Sequence, residues 1–588
     1  MSFGNLRDFI EVLKKENDLK IITAPVDPYL ELAEIHRRVI DEQGPALLFT
    51  NVKGSPFPVV TNLFGTSRRV DLAFGPRPEQ LMKRIIGAKD TLMPPSLKSL
   101  WRERGLLGSL SKVGLKQVPA SQAPITGVSV TDNPLSRLPA LTCWQEDGGP
   151  FITLPLVYTE HPVNGQGEHN LGMYRMQVFD GQTTGMHWQI QKGGGFHHHE
   201  AELRNQALPT TVFLGGPPAL IASAIAPVPE HLPELLLTSL IIGGKLPVTA
   251  DPHGGHRLVA EAEFAICGEV LPNVRRPEGP FGDHFGYYSL MHDFPVFQVK
   301  RMWHRKDAIY PATIVGKPRQ EDYYLGEFLQ RLLSPAFPMV MPGVKELWTY
   351  AESGFHSLAA AIVRESYSRE ALSTAFRILG EGQLRLTKFL MLTDQPVEME
   401  NFAKLLPLVL ERFNPQQDLL IIGQTSHDTL DYTGHKLNHG SKAIMMGVGE
   451  PVRRLQHVYT GGPIPEVQDA AVFCPGCLVV SGAAYEKDPQ LAERIAASCG
   501  AQLSEWPLVI VADDAQIAGD HTQFLWTVFT RFNPASDMFA ASRVRQHHVS
   551  YELPIVIDAR MKPGYPDELF PREDIVQLVS ERWKQYFA

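Results

Sequence analysis

Three stretches concentrate side chains capable of chemistry. In HNLGMYRMQVFDG, residues 169–181, Arg175 stands in an otherwise apolar run of strand character. The pleat of such a strand sends Asn170, Gly172 and Tyr174 to one face and Leu171, Met173 and Arg175 to the other. A buried guanidinium is too costly to leave alone, so Arg175 requires a carboxylate or an anionic ligand, and a structural ion pair meets that need as well as a functional one. In RRPEGPFGDHFGYYS, 275–289, Glu278 and Asp283 flank a Gly-Pro-Phe-Gly bend. Two carboxylates held close titrate apart, leaving one ionised and one protonated at neutral pH, as a general acid and its partner require.

The third stretch is GMHWQIQKGGGFHHHE, 185–200. A metal hydrolase centre built on His197 to Glu200 would need the three histidines to converge, yet adjacent residues of an extended segment face opposite ways. The run reads better as a solvated helix start after a glycine turn. Gly193 to Gly195 are more informative, because glycines let backbone approach a ligand closely and offer N–H groups to a phosphate.

The elements that must position these residues follow from periodicity. Leu6, Phe9, Ile10 and Leu13 mark an amphipathic first helix, and helical spacing over 29–40 alternates with the apolar runs ALLFTNV and PFPVVTNLF, the rhythm of an α/β domain over residues 1–120. The Pro- and Ser-rich stretch VPASQAPITGVSVTDNPLSRLP reads as a connection between domains. Residues 121–320 are rich in β-type runs separated by turn residues, which favours a barrel or sandwich, interrupted by one helix in PEHLPELLLTSLIIGG. Residues 321–588 carry an internal repeat: KFLMLTD and PLVIVAD, then ERFNPQQD and TRFNPASD, recur at one offset of 119 residues. Each copy, over about 388–450 and 507–562, reads as a βαβ unit in a mostly parallel sheet. The fold class is therefore a multidomain α+β and α/β chain.

At 588 residues the chain is long enough for two to four domains. Its 44% hydrophobic and 20% charged residues are those of a globular protein, and a net charge of −9 gives no footprint for nucleic acid. Five cysteines, an odd and sparse set, suit a reducing cytoplasmic setting, and the CPGC pair Cys474 and Cys477 has no second pair to complete a metal site. No apolar run reaches a membrane span, so a soluble protein is expected.

Together and in this order, these stretches resemble the UbiD family of decarboxylases that use prenylated FMN. NLGMYR is similar to the family's Asn-x-Gly-x-x-Arg strand, MHWQIQKGG to its cofactor-covering segment, APVPEHLPE to its Pro-rich turn ending on a metal-binding Glu, and EGPFGDHFGYY to its catalytic loop. LRDFIEVLKKENDLKIITAPVDP, GPALLFTNVKG and LPALTCWQEDGGPFIT resemble the family's opening and its approach to the central domain. The resemblance covers residues 5 to about 320, and the remainder in part.

It implies a central split β-barrel that binds the flavin between N- and C-terminal α/β domains. It implies that Arg175, Glu278 and Asp283 form the catalytic network, with Asp283 as proton donor. Met173, Tyr174, Arg175, His187, Trp188, Gln189, Lys192 and Gly193 would line the cofactor, and Lys442 of NHGSK would reach its phosphate. Asn170 and Glu234 would ligate manganese or another divalent cation, which a potassium ion could accompany. Where the family presents a third, histidine ligand the spacing lands on Gln191, a weaker ligand for a transition metal, so a flavin-binding member with lost or altered activity is the alternative. The implied reaction is reversible, non-oxidative decarboxylation of an aromatic or polyprenylated aromatic acid, a reaction of ubiquinone or menaquinone biosynthesis. Loss of CO2 from an aromatic carbon leaves a carbanion that the ring cannot delocalise, hence the need for a cofactor as electron sink. Implied partners are a flavin prenyltransferase supplying the cofactor, further copies of the chain in a dimer or hexamer, and a membrane surface if the substrate is polyprenylated.

Overall fold

The computed structural model describes residues 3–92, 96–189, 193–227 and 233–587. The chain divides into two compact units, residues 1–332 with 568–588, and residues 333–567.

In the first unit, helix α1 (Leu6–Lys15) buries Leu6, Phe9, Ile10 and Leu13, the stripe its spacing predicts. Strand β1 (Leu19–Ile22) and helix α2 (Glu31–Asp41) lead to β2 (Ala46–Phe49) and β3 (Val59–Thr61). β1 and β2 pair in parallel, β2 and β3 antiparallel, and the short strand Tyr310–Pro311 closes the order against β3. The last strand of this N-terminal sheet thus comes from the far end of the central segment.

The central segment forms one seven-stranded antiparallel sheet from β4 (Val128–Val130), β5 (Leu156–His161), β6 (Gly165–Met173), β7 (Thr183–Gly185), β8 (Leu208–Leu214), β9 (Phe264–Glu278) and β10 (His292–His304). The order is β7-β10-β9-β8-β5-β6, with β4 on β10, and among the described residues its two ends do not pair. The sheet is therefore open, as a split barrel is. Helix α3 (Gly193–Leu203) connects β7 to β8, and α4 (Glu234–Ile242) lies between β8 and β9. Gly243 ends α4 at φ 79°, a left-handed position that glycine occupies without strain.

The Pro- and Ser-rich stretch is not a linker. Ile125, Leu135 and Leu138 are buried, and Val128–Val130 adds to the sheet as β4, so apolar burial locks the stretch into the unit. Arg7 of α1 forms a bidentate pair with buried Glu263 (3.0 Å for each bond), and Phe57 meets Phe264 edge-on at 4.9 Å. One hydrophobic cluster holds α2, the central sheet and the C-terminal residues Ile575, Val579 and Tyr586. The C-terminal end of the chain thus returns to the first unit, which a division at residue 320 does not anticipate.

The second unit contains the repeat, and it is larger than the two βαβ segments. Strands β11 (Val344–Thr349), β12 (Leu358–Val363), β13 (Phe389–Thr393), β14 (Leu419–Ser426) and β15 (His439–Gly447) make a sheet ordered β11-β12-β13-β15-β14, with helix α5 (Phe402–Arg412) following β13. Strands β16 (Val467–Cys474), β17 (Cys477–Gly482), β18 (Leu508–Ala512), β19 (Met538–Phe539) and β20 (Ile555–Asp558), with α6 (His521–Arg531), repeat the order as β16-β17-β18-β20-β19. In both sheets the three inner strands are parallel and the outer two antiparallel. The NPxxD motif has one physical role in both copies: Asp418 caps the N–H of Asn414 (2.9 Å), and Asp537 that of Asn533 (2.7 Å). Cys474 and Cys477 face each other across the β16–β17 hairpin as buried free thiols. Helix α7 (Glu573–Phe587), which belongs to the first unit, ends the chain.

Candidate active site

β6 ends at Met173, so Arg175 lies just past the strand and not on it as the alternation predicts. The break frees its side chain to turn. Its Nε donates to Glu278 Oε1 (3.0 Å), and its Nη2 to Glu278 Oε2 (3.4 Å) and to Ser289 Oγ (2.8 Å). The guanidinium also lies over the Phe281 ring at 4.7 Å. Glu278, the last residue of β9, is fully buried, and its Oε2 meets His187 Nδ1 at 2.8 Å. Burial alone raises a carboxyl's pKa, but the charges and hydrogen bonds of Arg175 and His187 more than offset this and hold Glu278 at about 2. One ionised carboxylate thus joins two nitrogen side chains.

Asp283 sits five residues beyond Glu278, on the loop after β9, and is 3% exposed. Its Oδ1 accepts from Phe285 N (2.8 Å), and Gly286 N returns to its carbonyl (3.0 Å). The loop is braced by a two-stranded ladder pairing Phe281–Gly282 with Tyr288–Ser289.

A second group forms around Asn170. Its Nδ2 lies 3.4 Å from Tyr174 Oη, which accepts from Gly194 N at the same distance. Gly172 and Gly193 are required by closeness: a Cβ on Gly172 would stand 2.4 Å from Tyr174 Oη, and one on Gly193 2.1 Å from Asn170 Oδ1. Glu234, the first residue of α4, accepts at Oε2 from Leu171 N (3.1 Å), which brings its carboxyl beside the Asn170 backbone. Burial pushes Glu234 up to about 7, and among the described residues no lysine, arginine or histidine pairs with it. A half-buried carboxyl that no cation pairs with among the described residues, held on the backbone next to Asn170, offers with the Asn170 amide oxygen donors of the kind that suit a hard divalent cation.

Met173 and Gln189 are half-buried, while Trp188 is buried with its ring 5.1 Å from that of His198. Trp188 Nε1 has no hydrogen-bond partner among the described residues. Gln191 and Lys192 lie outside the described residues. Lys442 belongs to the second unit, on β15, where its Nζ donates to Thr387 O (2.8 Å) and burial brings it down to about 8.

Helix α3 starts at Gly193, so the glycines are its first residues and not a turn before it, and the histidine run lies within the helix and is not solvated as a whole. His197 bonds Thr159 Oγ1 (2.8 Å), His198 approaches Glu202 (3.7 Å), and both are buried, while His199 points outward. Helix α3 packs on β5 and β6, so two of the three imidazoles face inward. Among the described residues no group of three or more His, Cys, Asp or Glu side chains could hold a metal ion, so the hydrolase centre on His197 to Glu200 is not formed. No described helix is long and apolar enough to cross a membrane.

Sequence reasoning missed the bond between His187 and Glu278, the hydroxyl of Ser289 on Arg175, and a set of contacts from Asp147 to the Asp283 loop. The only signal for the last was the position of Asp147 in LPALTCWQEDGGPFIT.

Comparison with known proteins supplies the family. Models of the 3-octaprenyl-4-hydroxybenzoate carboxy-lyase match along the chain: the N-terminal domain at residues 10–89, the Rift-related domain at 116–318, and the C-terminal domain at 323–447 and 452–559. The last two stretches are the two copies of the repeat. A Chlamydia pneumoniae protein, named as one of the subunits of 4-hydroxybenzoate decarboxylase, is 52% identical over 591 residues, covering 100% of this chain and 99% of its own. Among solved structures, vanillic acid decarboxylase of Sedimentibacter hydroxybenzoicus in its closed form matches with TM-score 0.69 and 23% identity, over 79% of this chain and 97% of its own. HmfF of Pelotomaculum thermopropionicum, solved in complex with FMN, matches with TM-score 0.62 and 22% identity, over 78% and 97%. At such identity the structures speak for the fold, and the fifth of this chain they leave uncovered is the size of one repeat copy. The domain models, in order along nearly the whole chain, show that it belongs to the UbiD family of carboxy-lyases.

Proposed function

We propose that the chain decarboxylates a ring-hydroxylated benzoic acid, reversibly and without oxidation, using prenylated FMN. The observation that carries this reading is Glu278, one buried ionised carboxylate bonded to both Arg175 and His187, with buried Asp283 on the adjoining loop. Arg175 offers positive charge to the substrate carboxylate, Glu278 holds Arg175 and His187 in place, and Asp283 delivers the proton to ring carbon once the bond to CO2 has broken. Prenylated FMN, when bound, supplies the sink for the electron pair that the departing CO2 leaves behind. An evolved dimeric form of HmfF has been solved in complex with prenylated FMN, and the Chlamydia relative is named for 4-hydroxybenzoate, which motivates both choices.

Asn170 and Glu234 would hold the divalent cation, manganese by the family resemblance, and Tyr174, Trp188 and Gly193 would border the flavin. A polyprenylated hydroxybenzoate, the substrate expected in quinone biosynthesis, is the second substrate to test, and a membrane contact accompanies it. The experiment is co-production with a flavin prenyltransferase, mass spectrometry of the bound chromophore, and exchange of labelled bicarbonate into 4-hydroxybenzoate and its prenylated form. Prenylated FMN with exchange is expected, and protein without any flavin would overturn the reading. A second reading, flavin binding without decarboxylation, rests on Gln191 in place of the family's histidine; retained flavin with no exchange into any aromatic acid would favour it.

A further inference from the structure

The loop that carries Asp283 is held from outside by a second segment of chain, around Asp147. Asp147 uses both carboxylate oxygens on backbone N–H groups: Oδ2 accepts from Cys143 N (2.8 Å) and Trp144 N (2.9 Å), and Oδ1 from Gly282 N (2.8 Å), the residue before Asp283. Its neighbour Gly148 donates its N–H to Pro280 O (2.8 Å). Gln177 completes the brace, accepting from Gly279 N (2.8 Å) and donating to Gly148 O (2.6 Å). Residues 279, 280 and 282 are thus each tied by one hydrogen bond to chain outside the loop.

Steric fit reinforces these ties. A Cβ on Gly148 would lie 2.2 Å from Gly279 O, and one on Gly282 2.2 Å from Trp144 Cδ1. The Trp144 indole is itself buried and anchored, with Nε1 donating to Val315 O (3.0 Å). Such a brace carries a cost in this fold, since burial pushes the Asp147 carboxyl up to about 6 despite its three N–H partners. An apolar or amide residue there would avoid that cost.

We propose that Asp147 is a positioning residue for the carboxy-lyase reaction, fixing the backbone of the 279–283 loop so that Asp283 is held at the distance proton delivery requires. The proposal rests on the assignment of Asp283 as proton donor. Its physical content is that a proton donor misplaced by an ångström loses most of its effect, while the groups that bind substrate elsewhere are untouched.

Asp147→Asn tests this without changing volume. The amide oxygen can keep the two N–H groups of Cys143 and Trp144, which then turns an NH2 group toward the N–H of Gly282, two donors face to face. In the flavin-loaded enzyme, kcat is expected to fall roughly 10–100-fold while KM moves by less than about threefold. Amide hydrogen exchange across 279–285 should quicken at least about tenfold, with flavin content unchanged. Unchanged exchange at 279–285, or an unchanged kcat in flavin-loaded D147N, would overturn the proposal. Gly148→Ala, at an exposed position, pushes on Gly279 O from the same bracing segment and should give the same kcat loss at retained KM, which keeps the test open if D147N does not fold. If the wild-type enzyme bound flavin but released no CO2, the proposed function would fail while the exchange rates still judged the brace.

Discussion

Glu278 shows what one buried carboxylate does when two nitrogen groups share it. Its pKa of about 2 lies below the ordinary 4.5, so the unfolded chain binds the proton more readily than the folded one. The stabilisation is therefore fully present above about pH 4.5 and is lost as pH falls toward 2; at neutral pH it is worth about 3 kcal/mol. Glu278→Gln removes it and leaves Arg175 facing a neutral amide. Bicarbonate exchange should fall at least about 100-fold, and the unfolding free energy of the first unit by about 3 kcal/mol at pH 7. In urea titrations the gap between variant and wild type should close between pH 4.5 and 2; a gap constant over that range would mean that the ion pair is not what Glu278 contributes. The need of Arg175 for a carboxylate was legible in the sequence, because an arginine in an apolar run has few alternatives. The pairing with His187, 91 residues from Glu278, was not, since a histidine satisfies burial in many ways and its spacing carries no partner signal.

Among the elements, α3 is where sequence and structure part most clearly. A glycine turn followed by polar residues reads as a solvated helix start, and the helix is there, but its burial depends on which face meets β5 and β6. Burial brings both His197 and His198 down to about 4, below the ordinary 6.5, so each resists protonation in the folded state. Their contribution is present above about pH 6.5 and is lost as pH falls through that value toward 4. Protection of the amides over 193–203, taken relative to the intrinsic exchange rate at each pH, should therefore fall as pH drops from 6.5 to 4. His197→Ala should loosen α3 at pH 7 by about 1–3 kcal/mol and remove part of this pH dependence, whereas His199→Ala should leave both unchanged. Equal effects at His197 and His199 would show that inward packing does not anchor the helix. The open sheet around α3 was legible as a class, from short β-runs between turn residues, but not as a topology, because β4 comes from a stretch whose prolines mimic a linker.

At the scale of the molecule, the repeat was visible because NPxxD and the strand-final aspartates recur at one spacing, and those residues are fixed by the geometry of a turn. The outer strands of each sheet were not visible, since their packing tolerates many apolar sequences, and an amphipathic helix such as α7 does not announce that it returns to the first unit. Duplication also raises the question whether the two copies are separate bodies. Their helices α5 and α6 share one hydrophobic cluster, with the Phe529 ring 5.6 Å from Phe402 and 5.7 Å from Phe389. Phe529 belongs to the second copy and is 3% exposed, yet both of these partners belong to the first. Phe529→Ala should cost about 3–5 kcal/mol through the lost contacts and the cavity left behind. Because that cavity is lined from both sides, the loss should appear in both copies: amide exchange at Phe389–Thr393 should quicken with that at Leu508–Ala512, and the second unit should still melt in one transition at lower temperature. The Phe402→Ala, Phe529→Ala double variant should lose less than the sum of the singles by about 0.5–3 kcal/mol. Exchange that quickened only at Leu508–Ala512, with strictly additive losses, would mean that each copy holds its own core and that the duplication joined two independent bodies.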